Sequence, residues 1–103
     1  MEKSIPPVEL NDLLAAGKQF TLLDVRRKED FDQAPHTIAG AEWKNPAESD
    51  QWLPTIPAQE EVIVYCVRGG SVSQSVQQKL ADSGRLVRYV EGGLEAFAKV
   101  VRT

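Results

Sequence analysis

The run Glu61-Val62-Ile63-Val64-Tyr65-Cys66 constrains the fold of this chain more than any other stretch. From Val62 onward it is β-branched, aromatic or small and shows no polar alternation. That is the pattern of a strand buried on both faces of a parallel sheet. After the loop Val67 to Gly70 the pattern changes. Val72, Val76 and Leu80 recur at helical spacing between Ser71 and Ser83, and Gly84 supplies a stop. A buried strand that feeds a helix through a glycine pair is the start of a β-α-β unit.

The rest of the chain repeats this alternation. Pro7 to Ala16 carries Val8, Leu10, Leu13 and Leu14, with Gly17 following, and is predicted as a helix. Phe20 to Val25 and Leu86 to Val90 are predicted strands, and Ile38 to Trp43 is predicted as a second buried strand. Arg26 to Gln33 is charged around Phe31 and predicts a short exposed helix halted by Pro35. Asn45 to Pro57 reads as irregular structure with one helical turn around Trp52. Glu91-Gly92-Gly93 is a predicted turn, and Leu94 to Val101 a last helix with Leu94, Phe97 and Val101 inward. The expectation is an α/β fold with a parallel sheet, in one domain over residues 1–103.

Charge and residue usage remove several function classes. Twelve Lys and Arg against fifteen Asp and Glu leave a net charge of −3, which argues against a nucleic-acid or anionic-membrane partner. The longest apolar run, Val62 to Val67, is far short of the ~20 residues that cross a bilayer. Met1 to Pro7 has no apolar signal region, so a cytoplasmic location is expected. With one cysteine and one histidine, an internal disulfide and a structural zinc site are both out of reach, and no cofactor or metal is expected. The size and modest apolar content fit a monomer.

Cys66 is the one strong nucleophile in the chain. In parallel sheets, ligands bind beyond the carboxyl ends of strands, where Cys66 falls. Gly69 and Gly70 let successive N–H groups curl toward one point, and the following helix adds its partially positive end. A free thiol is only a few per cent ionised at neutral pH. Lowering its pKa by about two units needs roughly 2.7 kcal/mol of preference for the anion. Hydrogen bonds to a charged group contribute about 1.5–3 kcal/mol each, so two aimed amides suffice. The sequence therefore predicts a thiolate in an anion cradle. A free cysteine is more often a small buried hydrophobe, but the strand-end position before a glycine pair is unusual for packing alone.

Around it, Arg68 is expected to attract an anionic substrate, against the usual fate of a solvated surface arginine. Ser71-Val72-Ser73-Gln74 fits a capping box, making Ser71 first a helix cap and second a hydrogen-bond partner for the sulfur.

These residues resemble the rhodanese family of single-domain sulfurtransferases over nearly the whole chain. Leu22-Leu23-Asp24-Val25-Arg26 is similar to that family's strand ending in Asp-Val-Arg, and Ile38-Ala39-Gly40-Ala41 to its Ile-x-Gly-Ala segment. The loop from Cys66 is similar to its Cys-x-x-Gly active site, and Val90-Glu91-Gly92-Gly93-Leu94-Glu95-Ala96-Phe97 to its closing Gly-Gly signature. The resemblance implies a three-layer sandwich with a central, mostly parallel five-stranded sheet flanked by helices. It implies that Cys66 accepts sulfane sulfur, becomes a persulfide and passes the sulfur on. Val67, Arg68, Gly69, Gly70 and Ser71 would hold a small anionic donor such as thiosulfate. Cyanide, a small thiol such as glutathione, or a thioredoxin-like protein would be the acceptor. The resemblance also implies sulfur rather than larger phosphorus or arsenic oxyanions, since the loop from Cys66 to Ser71 counts six residues.

Where many family members have histidine, this chain has Thr37, with His36 one position earlier. His36 is therefore expected to be a surface or structural residue, and Asp24 and Arg26 are expected to be structural. Trp43 and Trp52 are expected in the core or the pocket wall, with Trp52 a candidate for the entrance. Three other readings stand beside the transferase. A cysteine-based phosphatase or arsenate reductase would want an arginine six positions after the nucleophile, where this chain has Val72. A non-catalytic binding or regulatory module would not need the loop cysteine. A redox sensor would need an external resolving thiol.

Overall fold

Strand β4 (Val62–Tyr65) is buried along its whole length in the computed structural model, which describes residues 3–101. Its side chains alternate between two separate cores. Val62 and Val64 join Leu23, Trp52, Val76 and Leu80 on one face, while Ile63 and Tyr65 join Leu10, Leu22, Val90 and Phe97 on the other. Neither face meets water, which is why no polar residue interrupts the run. Burying each such side chain contributes roughly 1.5–3 kcal/mol.

On either side of β4 lie β2 (Thr21–Asp24) and β5 (Val87–Val90). Beyond them are the edge strands β3 (Glu42–Trp43) next to β2 and β1 (Ser4–Ile5) next to β5. The order is β1-β5-β4-β2-β3, and every pairing is parallel. Helices α1 (Pro7–Ala15) and α5 (Gly93–Val100) supply Leu10 and Phe97 to one core. Helices α3 (Ser49–Trp52) and α4 (Ser71–Asp82) supply Trp52, Val76 and Leu80 to the other. The short α2 (Lys28–Gln33) buries no residue. The expected α/β sandwich is present, and its sheet is entirely parallel.

Three expectations need correction, and one strand was missed. Ile38 to Trp43 is not a six-residue strand: Ala41 N–H donates to the Ile38 carbonyl at 2.8 Å, closing a turn at Gly40 (φ +87°), and only Glu42–Trp43 pairs with β2. Ile38 is buried nonetheless in the core cluster that holds Tyr65, whose hydroxyl accepts from the Ile38 N–H at 3.0 Å. Val101 is 48% exposed and lies past the end of α5, and Leu86 is also exposed, one residue before β5 begins. The edge strand β1 was not expected at all, since two residues before Pro6 carry no periodicity to read.

The segment from Asn45 to Pro57 is a chain of short turns, Pro46–Glu48, α3 and Leu53–Thr55. Asn45 begins it: its side-chain oxygen accepts from Ala47 N–H at 3.0 Å, and its carbonyl accepts from Trp52 Nε1 at 2.8 Å. Trp52 is thus a core residue and does not line the entrance to the cysteine.

Candidate active site

Cys66 follows β4 directly, at the carboxyl end of the central strand. It is buried, yet it lines a cavity of about 540 Å³. The same cavity is bounded by Val67, Arg68, Gly70 and Ser71 of the loop and by Arg26, Arg27 and Asp30 from the end of β2 onward. Gly69 is buried beneath the loop and does not face the cavity.

The shape of the loop is set by backbone contact with the turn before α5. Leu94 N–H donates to the Cys66 carbonyl at 2.8 Å, and Glu95 N–H to the Val67 carbonyl at 3.0 Å. Gly69 (φ +69°) and Gly93 (φ +63°) meet there with no room for side chains. A Cβ on Gly93 would lie 2.5 Å from the Cys66 carbonyl oxygen and 2.6 Å from Gly69 N. A Cβ on Gly69 would lie 2.7 Å from Gly92 N. The two loop carbonyls are thus taken up by α5. The N–H groups of Val67 to Gly70 donate to no backbone carbonyl among the described residues. Of these, Val67, Arg68 and Gly70 border the cavity, beside Ser71 at the start of α4, where free N–H groups suit an anion.

Among the described residues, the hydrogen-bond partner of the sulfur is Ser73. The Cys66 thiol donates to Ser73 Oγ at 3.2 Å, and the Ser73 hydroxyl donates to the Gly70 carbonyl at 3.4 Å. A hydroxyl rotates freely, so the same serine can donate to the sulfur once its proton has gone.

Ser71 does not play the part expected of it. Gly70 occupies the position just before α4, no side chain caps the helix, and Ser71 is its exposed first residue. Gln74 does reach back, but its Nε2 donates to the Gly69 carbonyl at 3.0 Å. Helix α4 buries Ser73, Val76, Gln77 and Leu80, a stripe rotated from the expected Val72, Val76 and Leu80. Counting back three and seven positions from Val76 and Leu80 reaches Ser73 in both cases, and that spacing was the available signal.

Arg68 is directed elsewhere than expected. Its side chain is 81% exposed, and its Nε donates to Glu95 Oε2 at 2.9 Å. That bond and the Glu95 charge raise the Arg68 pKa further above its ordinary value. Arg68 borders the cavity with its charge partly offset.

Arg26 and Asp24 are structural, as expected. They form a buried ion pair at 2.7 Å, and Arg26 also donates to the carbonyls of Ala34 and His36. Through these bonds the pair fixes the segment that borders the site, while the His36 side chain is exposed. Trp43 stacks on Phe31 with ring centroids 4.5 Å apart and donates to the Arg26 carbonyl at 2.9 Å. Tyr65, immediately before the cysteine, has its pKa raised far above the usual phenol range, chiefly by burial.

The sequence profile of the rhodanese-like domain family matches residues 6–100. The chain belongs to that family. A rhodanese-like domain protein from Staphylococcus aureus superposes with a TM-score of 0.82 at 29% identity, over 93% of this chain and 91% of that one. Among curated proteins, the rhodanese-like domain is 47% identical over 48 residues to the tRNA 2-selenouridine synthase of Shewanella loihica. That match covers 47% of this chain and 13% of the synthase. The protein of the same name from Shewanella sp. (strain MR-4) is 28% identical over 128 residues, covering 92% of this chain and 33% of that protein. The rhodanese-like domain thus corresponds to a third or less of these longer relatives. Among the described residues, no helix is long and apolar enough to cross a membrane.

Proposed function

We propose that the protein is a sulfurtransferase that carries sulfane sulfur as a persulfide on Cys66. The observation that carries this reading is the position of Cys66. It faces a cavity bordered by Arg26, Arg27 and Arg68, on a loop whose amides have no backbone acceptor. Membership of the rhodanese-like domain family supports sulfurtransferase-type chemistry in general. We choose thiosulfate as donor because a small dianion suits the Arg27 guanidinium and loop amides that lack a backbone acceptor, Arg26 and Arg68 being already paired with Asp24 and Glu95.

In the reaction, the Cys66 thiolate attacks the sulfane sulfur of thiosulfate. The bond between that sulfur and the sulfonate sulfur breaks, and sulfite leaves with its electron pair. The product is a Cys66 persulfide held against the loop amides, with Ser73 donating to Sγ. A nucleophile such as cyanide or a thiolate then attacks the outer sulfur, and the bonding pair returns to Cys66.

Incubation with thiosulfate followed by intact mass measurement tests the reading. One added sulfur atom that is absent in Cys66→Ser and is discharged by cyanide is the expected result. No adduct at millimolar donor refutes it and favours a non-catalytic binding module.

A second reading concerns the atom transferred. The match to proteins named tRNA 2-selenouridine synthase extends over 92% of this chain, which favours selenium as an alternative cargo. An adduct of selenium mass after treatment with selenosulfate, formed in preference to sulfur from equimolar thiosulfate, would support it.

A further inference from the structure

A second cavity of about 620 Å³ adjoins the first and shares Arg27, Ser71 and Val72 with it. We propose that it is the acceptor's subsite and that it takes a small thiol bearing carboxylates, an inference that rests on the persulfide reading of Cys66. A donor the size of thiosulfate needs only the first cavity. An acceptor thiol must bring its sulfur to the outer atom of the persulfide while the rest of the molecule lies alongside. The shared border with the second cavity offers that space.

The lining states the chemistry. Its floor includes Pro46, Val72 and Val76, apolar surface suited to the carbon frame of a small molecule. Its charged residues are Arg27, Lys28, Lys79 and Glu29, a cationic excess in a chain of net charge −3. Lys28 is held by Asp32 at 2.7 Å. Arg27 makes no ion pair among the described residues. Lys79 donates to Ser49 Oγ at 2.9 Å, and its nearest carboxylate is Asp50 at 3.8 Å on a side chain 95% exposed. Arg27, at the border of both cavities, and Lys79, bordering the second alone, are therefore open to a ligand's carboxylates.

The step balances without a further reagent. The acceptor thiolate attacks the outer sulfur of the protonated Cys66 persulfide and forms a new S–S bond. The bond to Cys66 Sγ breaks, its electron pair regenerates the Cys66 thiolate, and the acceptor leaves as its own persulfide.

The test compares glutathione, 2-mercaptoethanol and cysteamine as acceptors for protein charged with thiosulfate. The expected order of kcat/KM, after correction for each thiol's ionisation, is glutathione above 2-mercaptoethanol above cysteamine. Reversing one charge in Lys79→Glu is expected to lower the glutathione to 2-mercaptoethanol ratio about five- to tenfold, while Lys79→Arg retains it. Calorimetry adds a readout free of turnover: S-methylglutathione, which accepts no sulfur, is expected to bind the native protein and to lose binding in Lys79→Glu. A persulfide that forms normally with a ratio unchanged within about twofold by Lys79→Glu overturns the subsite alone. Failure to form the persulfide overturns the sulfurtransferase reading and this inference with it.

Discussion

Cys66 Sγ and Ser73 Oγ lie 3.2 Å apart across the turn from β4 into α4, and Ser73 is completely buried. The serine has two neighbours to satisfy, the sulfur and the Gly70 carbonyl. Losing a hydrogen bond to an ionised partner costs about 1.5–3 kcal/mol. Ser73→Ala is therefore expected to slow alkylation of Cys66 by iodoacetamide at neutral pH by about tenfold or more. Ser73→Thr, which keeps the hydroxyl, is expected to recover most of the rate. An unchanged rate in Ser73→Ala would remove the serine from the chemistry.

Gly93→Ala is expected to damage the site through the backbone. Its Cβ would press on the Cys66 carbonyl at 2.5 Å, and alanine is strained at φ +63°. Such conformations cost of order 1–3 kcal/mol before the clash is counted. Urea denaturation should show a loss of at least that size, with persulfide formation slowed in the protein that remains folded. Gly17→Ala is the control for strain alone, because its positive φ has open space around it.

Arg68 is expected to gain influence when Glu95 is neutralised. The pair is exposed, so solvent screens it and the two charges couple only weakly. Glu95→Gln should therefore lower KM for thiosulfate modestly, by about twofold, with the gain fading as salt rises. No change in KM, or an increase, would show that Arg68 has no bearing on the donor.

Asp24→Asn is expected to be costly. It leaves Arg26 buried without its counter-ion, and breaking a buried pair from one side typically costs about 3–5 kcal/mol. Chemical denaturation measures the total. Faster amide exchange at Ile38, whose segment Arg26 holds through the Ala34 and His36 carbonyls, would report the local effect.

Tyr65 is expected to make the protein lose stability in alkali. Its pKa is raised in the folded state, so above about pH 10, the ordinary phenol value, the folded chain keeps a proton that the unfolded chain has released. Stability from this group is complete below that pH and falls by about 1.4 kcal/mol per unit above it. Denaturation of the native protein and of Tyr65→Phe at pH 9 to 11 isolates the effect, since the phenylalanine variant lacks this part of the slope. Equal slopes would refute it.

The parts of the fold readable in the sequence were those with a periodic or chemical signature. Val62 to Tyr65 announced its double burial because both cores demand apolar side chains. The loop announced itself because Cys66 precedes two glycines. What stayed hidden depended on contacts distant in sequence. Ser4–Ile5 becomes a strand only because β5 is there to pair with it. Arg68 turns away from the loop because Glu95, on α5, reaches it. Ser73 was passed over in favour of Ser71 because the helix begins one residue earlier than the capping pattern suggested.

The meeting of Gly69 with the Gly92-Gly93 turn has a consequence for redesign. Main chain rests on main chain there, and the hydrogen bonds that hold the loop run from backbone N–H groups of α5 and from the Ser73 and Gln74 side chains to loop carbonyls. The contour of the loop is thus largely independent of the side chains at Val67 and Arg68. Those two positions form an interchangeable rim, where new selectivity can be installed by substitution while the mould beneath keeps its form.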